Sequence, residues 1–222
     1  MASLIDLLAP PRCALCRAAG PLLCPSCLAA LPLLDGSVCA RCGLPAERPV
    51  DDCASCRGRR VGFESAAAAL LFEGSARDLV HAFKDGGLRG LAVPAAALMA
   101  LVLGHPAVDV VTWVPADPLR EAMRGYHPAR LLAEQLAQRW DVPARPLLRA
   151  PLWRRPQRGL TRAQRRANVR EAFTAPVAVT GRVGLIDDVH TTGATLTAAA
   201  LELRRAGAGA VVAATLARAE HT

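Results

Sequence analysis

The sequence has 222 residues, 27 of them basic and 19 acidic, for a formal charge of +8; 52% are hydrophobic and 4% aromatic. That balance excludes a disordered chain and is long enough for one good core or two small domains. The longest apolar run, 91–103, is interrupted by Pro94 and falls well short of the roughly 20 residues of a spanning helix, so no membrane segment is expected.

The N-terminus, MASLIDLLAPP, has no basic region before its apolar stretch and carries Asp6. No signal peptide is therefore expected, and the expected location is cytoplasmic. The first organised block is cysteine-rich. All eight cysteines form four CxxC pairs: Cys13/Cys16, Cys24/Cys27, Cys39/Cys42 and Cys53/Cys56. Each pair aims two thiolates at one metal, and two pairs complete a tetrahedral site. Disulfides are disfavoured in a cytosolic chain, and a redox motif would be a single CxxC beside a βαβ unit. Two structural Zn²⁺ sites are expected. Sequential pairing, the preferred one, joins Cys13, Cys16, Cys24 and Cys27 in one site and Cys39, Cys42, Cys53 and Cys56 in the other. Nested and crossed pairings satisfy the spacing as well. The block has few large apolar side chains, so metal binding would supply its folding energy.

Beyond residue 60 the pattern alternates. A strand is predicted over 64–74 and a helix over 75–83, with Leu79, Val80 and Phe83 on one face. A second helix is expected over 88–103, broken or started near Pro94. Residues 109–115 read as a buried strand ending at Pro115, and Pro128 suits the first turn of a helix running to Trp140. Leu147-Leu148 reads as a short strand and 161–171 as an Arg-rich helix. Trp113 and Trp140 are expected in the core. Residues 210–217 are the last predicted strand. Strands alternating with helices imply a parallel sheet whose ligands bind beyond the strand C-termini.

The stretch 183–196, VGLIDDVHTTGATL, carries the sharpest chemistry. An apolar run is followed by Asp187 and Asp188 at the strand's end, then by Thr191, Thr192, Gly193, Ala194 and Thr195 as a turn. A helix is predicted from about Thr195 to Ala206. Strand, small polar loop and helix N-terminus together form an anion site. The adjacent acids suit sugar hydroxyls beside a phosphate, or water on a divalent cation. His190 is expected at a solvent-facing spacer position.

This stretch resembles the 5-phosphoribosyl-1-diphosphate (PRPP) signature of type I phosphoribosyltransferases. The resemblance implies that Asp187 and Asp188 hold the ribose 2′- and 3′-hydroxyls, and that residues 191–195 hold the 5′-phosphate. Joined to the four CxxC pairs, it resembles the ComF family over nearly the whole chain. The 81–86 stretch, His-Ala-Phe-Lys-Asp-Gly, is similar to the family's Phe-Lys-Tyr-x-Gly helix end. The 114–126 stretch resembles its diphosphate-loop and Arg-Gly-Phe-Asn-x-Ala segment. Gln157, Leu160, Arg165, Asn168 and Phe173 fit its Gln-x-x-Leu…Arg-x-x-Asn-x-x-x-x-Phe pattern. His127-Pro128 and Asp85 depart from the family pattern.

The resemblance implies a small N-terminal double zinc ribbon over 1–60. Over 61–222 it implies an α/β domain with a type I phosphoribosyltransferase-like parallel sheet flanked by helices. It further implies diphosphate contacts from Lys84, Pro115, Ala116, Asp117, Arg120 and Arg124. A hood loop would include Gln157, Arg165, Arg166 and Asn168. Mg²⁺ would accompany PRPP, and the family is linked to competence and DNA uptake. The alternative is a non-enzymatic sensor of PRPP or a nucleotide that binds single-stranded DNA or a helicase partner.

The charge distribution bears on that choice. Residues 145–170 hold nine Arg and no acid, while the 26 Arg of the chain stand against one Lys, Lys84. This block is a solvated loop, a nucleic-acid patch or a clamp for a small polyanion. Two four-thiolate zinc sites would each carry −2, which leaves +4 overall. The ribbons have no aromatic residue before Phe63 and offer bases no stacking platform. DNA, if bound, is expected at 145–170 with Trp153 as the stacking side chain.

Overall fold

The computed structural model describes residues 11–150 and 172–220. The cysteine block holds one short helix, α1 (Pro25–Ala29). The α/β part follows as β1 (Ser65–Leu71), α2 (Gly74–Lys84), α3 (Ala92–Leu103), β2 (Val110–Trp113), α4 (Pro118–Arg124), α5 (Pro128–Arg139), β3 (Arg182–His190), α6 (Ala194–Arg205) and β4 (Ala210–Arg218). A single 3₁₀ turn, Arg89–Leu91, leads into α3. Pro94 falls in that helix's first turn, where a missing N–H costs nothing.

The four strands form one parallel sheet in the order β1-β4-β3-β2. Both faces are covered. Leu79, Phe83, Met99, Leu132 and Leu136 pack on one face with Val111, Ile186 and Leu216. Leu196, Ala199 and Leu203 of α6 pack on the other with Val183, Leu185 and Val211. Successive side chains of β3 therefore serve opposite cores, and the strand reads as an unbroken apolar run.

The cysteine block belongs to this packing. Ala14, Leu23 and Leu31 join the larger core. Its backbone also covers the free edge of β1. Leu34 N–H donates to Ala69 O and Leu71 N–H to Pro32 O, both at 2.9 Å, and Ala66 N–H donates to Arg41 O at 2.9 Å. At the opposite edge, Val111 exchanges bonds with Pro143 and Arg145. Neither edge strand is left as an open template for pairing.

Several expectations are corrected. Leu147 and Leu148 are buried but form no strand; the pairing falls on the isolated bridges Val111–Ala144 and Arg149–Thr174. The predicted helix 161–171 lies outside the described residues. Helix α4 was not anticipated. It buries no residue, so the apolar periodicity that marks a packed helix is missing. Its end signals are clear: Asp117 caps it, Pro118 opens it, and Gly125 closes it in the left-handed conformation (φ 74°). Trp140 is buried and donates Nε1–H to Gly104 O (3.0 Å). Trp113 is half-buried, with the Arg130 guanidinium 5.7 Å over its ring.

Candidate metal centres and anion site

The eight thiols gather in sequential fashion. Cys13, Cys16, Cys24 and Cys27 form one cluster and Cys39, Cys42, Cys53 and Cys56 the other, with all four sulfurs of each within 4.8 Å of one another. Tetrahedral Zn–S bonds of about 2.3 Å place sulfurs roughly 3.8 Å apart. The Cys16–Cys24 and Cys42–Cys53 sulfurs are both 3.7 Å apart, so the donor sets fit zinc. The wiring is repeated. Cys24 N–H donates to Cys13 Sγ (3.5 Å), and Cys53 N–H donates to Cys39 Sγ (3.3 Å). Burial pushes the Cys13 and Cys39 thiols up, but backbone N–H donors outweigh it and bring them to about 6 and about 7. These two are the readiest thiolates. The neighbouring Cys24 thiol, and then burial, push Cys27 up to about 12; burial and the Cys42 thiol also raise Cys56. A dication held by these cysteines would remove that conflict by favouring all four sulfurs as thiolates.

The acid pair lies on β3, which runs on to His190 rather than ending at Asp188. Asp188 is buried and accepts from Lys84 Nζ through both oxygens (2.8 and 2.7 Å). Asp187 Oδ1 accepts from the Asp188 N–H at 2.8 Å. Burial, and then the adjacent Asp188 carboxylate, push Asp187 up to about 8. Beyond the strand, Thr191, Thr192 and Thr195 are exposed around buried Gly193, which N-caps α6 with φ 73°. A Cβ at Gly193 would stand 2.6 Å from His190 Nε2 and would meet a conformation that L side chains resist. His190 is not solvent-facing. It is 3% exposed and packs edge-on against Phe63 at 6.4 Å, because the strand's alternation carries it inward after Ile186 and Asp188.

The second loop, 114–117, leaves the C-terminal end of β2, the strand paired with β3. Both loops thus open at the same end of the sheet, where open α/β sheets bind ligands. Within this loop Asp117 is engaged in capping α4, accepting from Leu119 N–H (3.0 Å) and Arg120 N–H (3.3 Å). Ala116 N–H donates to His127 Nε2 at 2.8 Å. Burial lowers the His127 pKa. Arg124 pairs with Asp85 at 2.9 Å, and Tyr126 Oη–H donates to Phe83 O, so the two departures from the family pattern, Asp85 and His127, both tie the mouth together. The structure brings Lys84, Asp187, Asp188 and the two loops to one mouth, with Arg124 held at Asp85. Arg120 is exposed on α4. Gln157, Arg165, Arg166 and Asn168 lie outside the described residues. Sequence reasoning passed over Arg218, which lies buried beneath the loop.

A parallel α/β domain carrying two four-thiolate centres on its sheet edge defines a double zinc ribbon protein with an α/β body. Residues 4–58 match the double zinc ribbon domain family. Over 220 residues, covering 92% of this chain and 96% of the relative, the sequence is 28% identical to DNA utilization protein YhgH of Escherichia coli strain K12. It is 29% identical over 187 residues to DNA utilization protein YhgH of Salmonella typhi, covering 79% and 81%. It is 36% identical over 104 residues to Competence protein F of Haemophilus influenzae, covering 45% of each. The chain is thus similar over most of its length to relatives named for DNA utilization and over a shorter stretch to one named for competence, with a double zinc ribbon at its N-terminal end. Among the described residues, no helix is long and apolar enough to cross a membrane.

Proposed function

We propose that the protein binds PRPP across the 191–195 and 114–117 loops, transfers its phosphoribosyl group to an acceptor with release of diphosphate, and acts in DNA uptake or use. One observation carries the reading: adjacent parallel strands both end in loops at one end of the sheet, and one of them runs from an acid pair into a left-handed glycine and a helix N-terminus. Exposed Thr hydroxyls and the first-turn N–H groups of α6 suit a 5′-phosphate. The Asp187 and Asp188 carboxylates suit ribose hydroxyls, with the sugar hydroxyl taking up the hydrogen bond that Lys84 now gives Asp188. The names of the relatives, which speak of DNA utilization and competence, support the cellular role.

In the transfer, the acceptor's lone pair attacks ribose C1, the C1–O bond to diphosphate breaks, and diphosphate leaves with the bonding electrons. The acceptor's proton passes to solvent. Fixed donors at the two loops would stabilise the charge that separates. The acid pair supplies the hard oxygen donors that Mg²⁺ prefers, and Mg²⁺ would neutralise the leaving group.

Calorimetry with PRPP and Mg²⁺ tests this reading. The wild type is expected to bind, and an Asp187→Asn, Asp188→Asn double variant to lose most of the affinity. Absence of binding by the wild type overturns it. Binding without transfer is the second reading, favoured by one feature: the Ala116 N–H and the Asp117 carboxylate of the second loop are already engaged within the protein. Diphosphate release across a panel of bases and amines separates the two. In that case the nine-Arg block is the DNA surface, and affinity for single-stranded DNA falls steeply with salt.

A further inference from the structure

Arg218 ends β4 directly beside His190 in the sheet register. It is 2% exposed and, among the described residues, has no carboxylate within ion-pair distance. Its Nη1 donates to His190 O (2.8 Å), to Thr191 O and to Ala219 O (2.9 Å), while its Nε is buried without a partner. A guanidinium taken out of water without a counter-charge costs stability unless its position does something in return.

That position is directly under the anion loop. A crevice of about 20 Å³ is walled by Arg218, His190, Thr192 and Gly193 on one side and by Cys42, Cys56 and Arg59 of the second ribbon on the other. In a planar trans peptide the C=O and the next N–H point in opposite directions. Turning the His190 and Thr191 carbonyls inward onto the guanidinium therefore turns the Thr191 and Thr192 N–H groups away from it. Thr191 and Thr192 are both exposed.

We propose that Arg218 is the positioning residue of the anion loop. From beneath, it holds the Thr191 carbonyl and shares the His190 carbonyl with the Ala219 N–H, so that the N–H groups are presented to a phosphate, and it adds a positive charge under the ligand. The second ribbon seals that charge from water. The assignment rests on the phosphate-binding reading above.

The test compares wild type with Arg218→Met and Arg218→Lys in the full chain, each checked for two zincs. Ribose 5-phosphate and inorganic diphosphate are the probes. Arg218→Met is expected to weaken ribose 5-phosphate by about tenfold or more and to leave diphosphate unchanged. Arg218→Lys, which keeps the charge on a shorter side chain, should fall between. Millimolar ethylguanidinium should restore part of the Met variant's affinity. Hydrogen exchange at amides 191–195 of the ligand-free Met variant should quicken while the rest of β3 keeps its protection. Unchanged ribose 5-phosphate affinity, or an equal loss for both probes, overturns the proposal. If the wild type binds neither probe, the phosphate reading fails, and exchange alone decides whether Arg218 orders the loop. If the Met variant does not fold, the Lys variant is held to the same criteria.

Discussion

The two ribbons share one wiring and sit in two different surroundings. In each, the first cysteine accepts an N–H bond from the third, and the second and third sulfurs lie 3.7 Å apart. The residue after the second cysteine is left-handed in both: Arg17 at φ 64° and Gly43 at φ 65°. In the first ribbon Cys16 is exposed, and the neighbouring Leu23 and Leu31 anchor the unit in the large core. In the second, Cys39, Cys42 and Cys56 are buried, and Gly43 lies so close to β1 that a Cβ would meet Ala66 O at 2.6 Å. The same cysteine knot thus serves once as an apolar anchor and once as a cover over the 191–195 loop.

The largest expected effect comes from removing both metals. Structural zinc contributes on the order of 10 kcal/mol to small domains, so chelation under reducing conditions should abolish cooperative unfolding by circular dichroism. An unchanged melting curve would mean that the thiols hold the block without metal. The order of release sharpens the contrast. The first site, with its exposed Cys16, should lose zinc faster, giving two phases with a zinc indicator. The fast phase should vanish in a Cys16→Ser, Cys27→Ser variant; loss of the slow phase instead would invert the comparison.

Next come the matched left-handed positions. Gly43→Ala should cost about 1–3 kcal/mol, read from the urea midpoint. Arg17→Gly should stay within about 1 kcal/mol of wild type. Equal costs would erase the difference in surroundings. Asp187→Asn acts on the strand beneath the covered loop. The folded carboxyl titrates near 8, above its unfolded value of 3.8, so its contribution to stability is full below about pH 4 and declines as pH rises toward 8. At pH 7 the Asn variant should melt higher, by roughly 2–4 °C for each kcal/mol relieved, and the gap should close in acid. The smallest effect belongs to the exposed Arg41–Asp52 pair of the second ribbon. Asp52→Ala should change stability by less than about 0.5 kcal/mol.

The repeated CxxC spacing and the acid-pair loop were legible because each places chemistry at fixed intervals along the chain. The sheet strands were legible because both faces are buried and the runs are apolar. What escaped has a common cause: it depends on partners distant in sequence. An Arg closing an apolar strand in an Arg-rich chain looks like a solvated strand end. Only the carbonyls of His190 and Thr191, brought beside it by parallel pairing, make Arg218 part of the site. His190 would face solvent if the strand ended at the acid pair; the strand runs on to His190 and turns it inward. The choice among cysteine pairings was left open by spacing and is settled by geometry.

The ribbon backbone that covers the edge of β1 also bears on synthesis. In the finished sheet β1 lies between the 32–34 segment and β4. On the ribosome, β4 is made only after β2 and β3, whereas the 32–34 segment precedes β1. A nascent β1 therefore has one native neighbour available during most of translation, a segment that links the two four-thiol clusters. Zinc supply during translation, rather than after release, should then set how much of the newly made chain escapes aggregation.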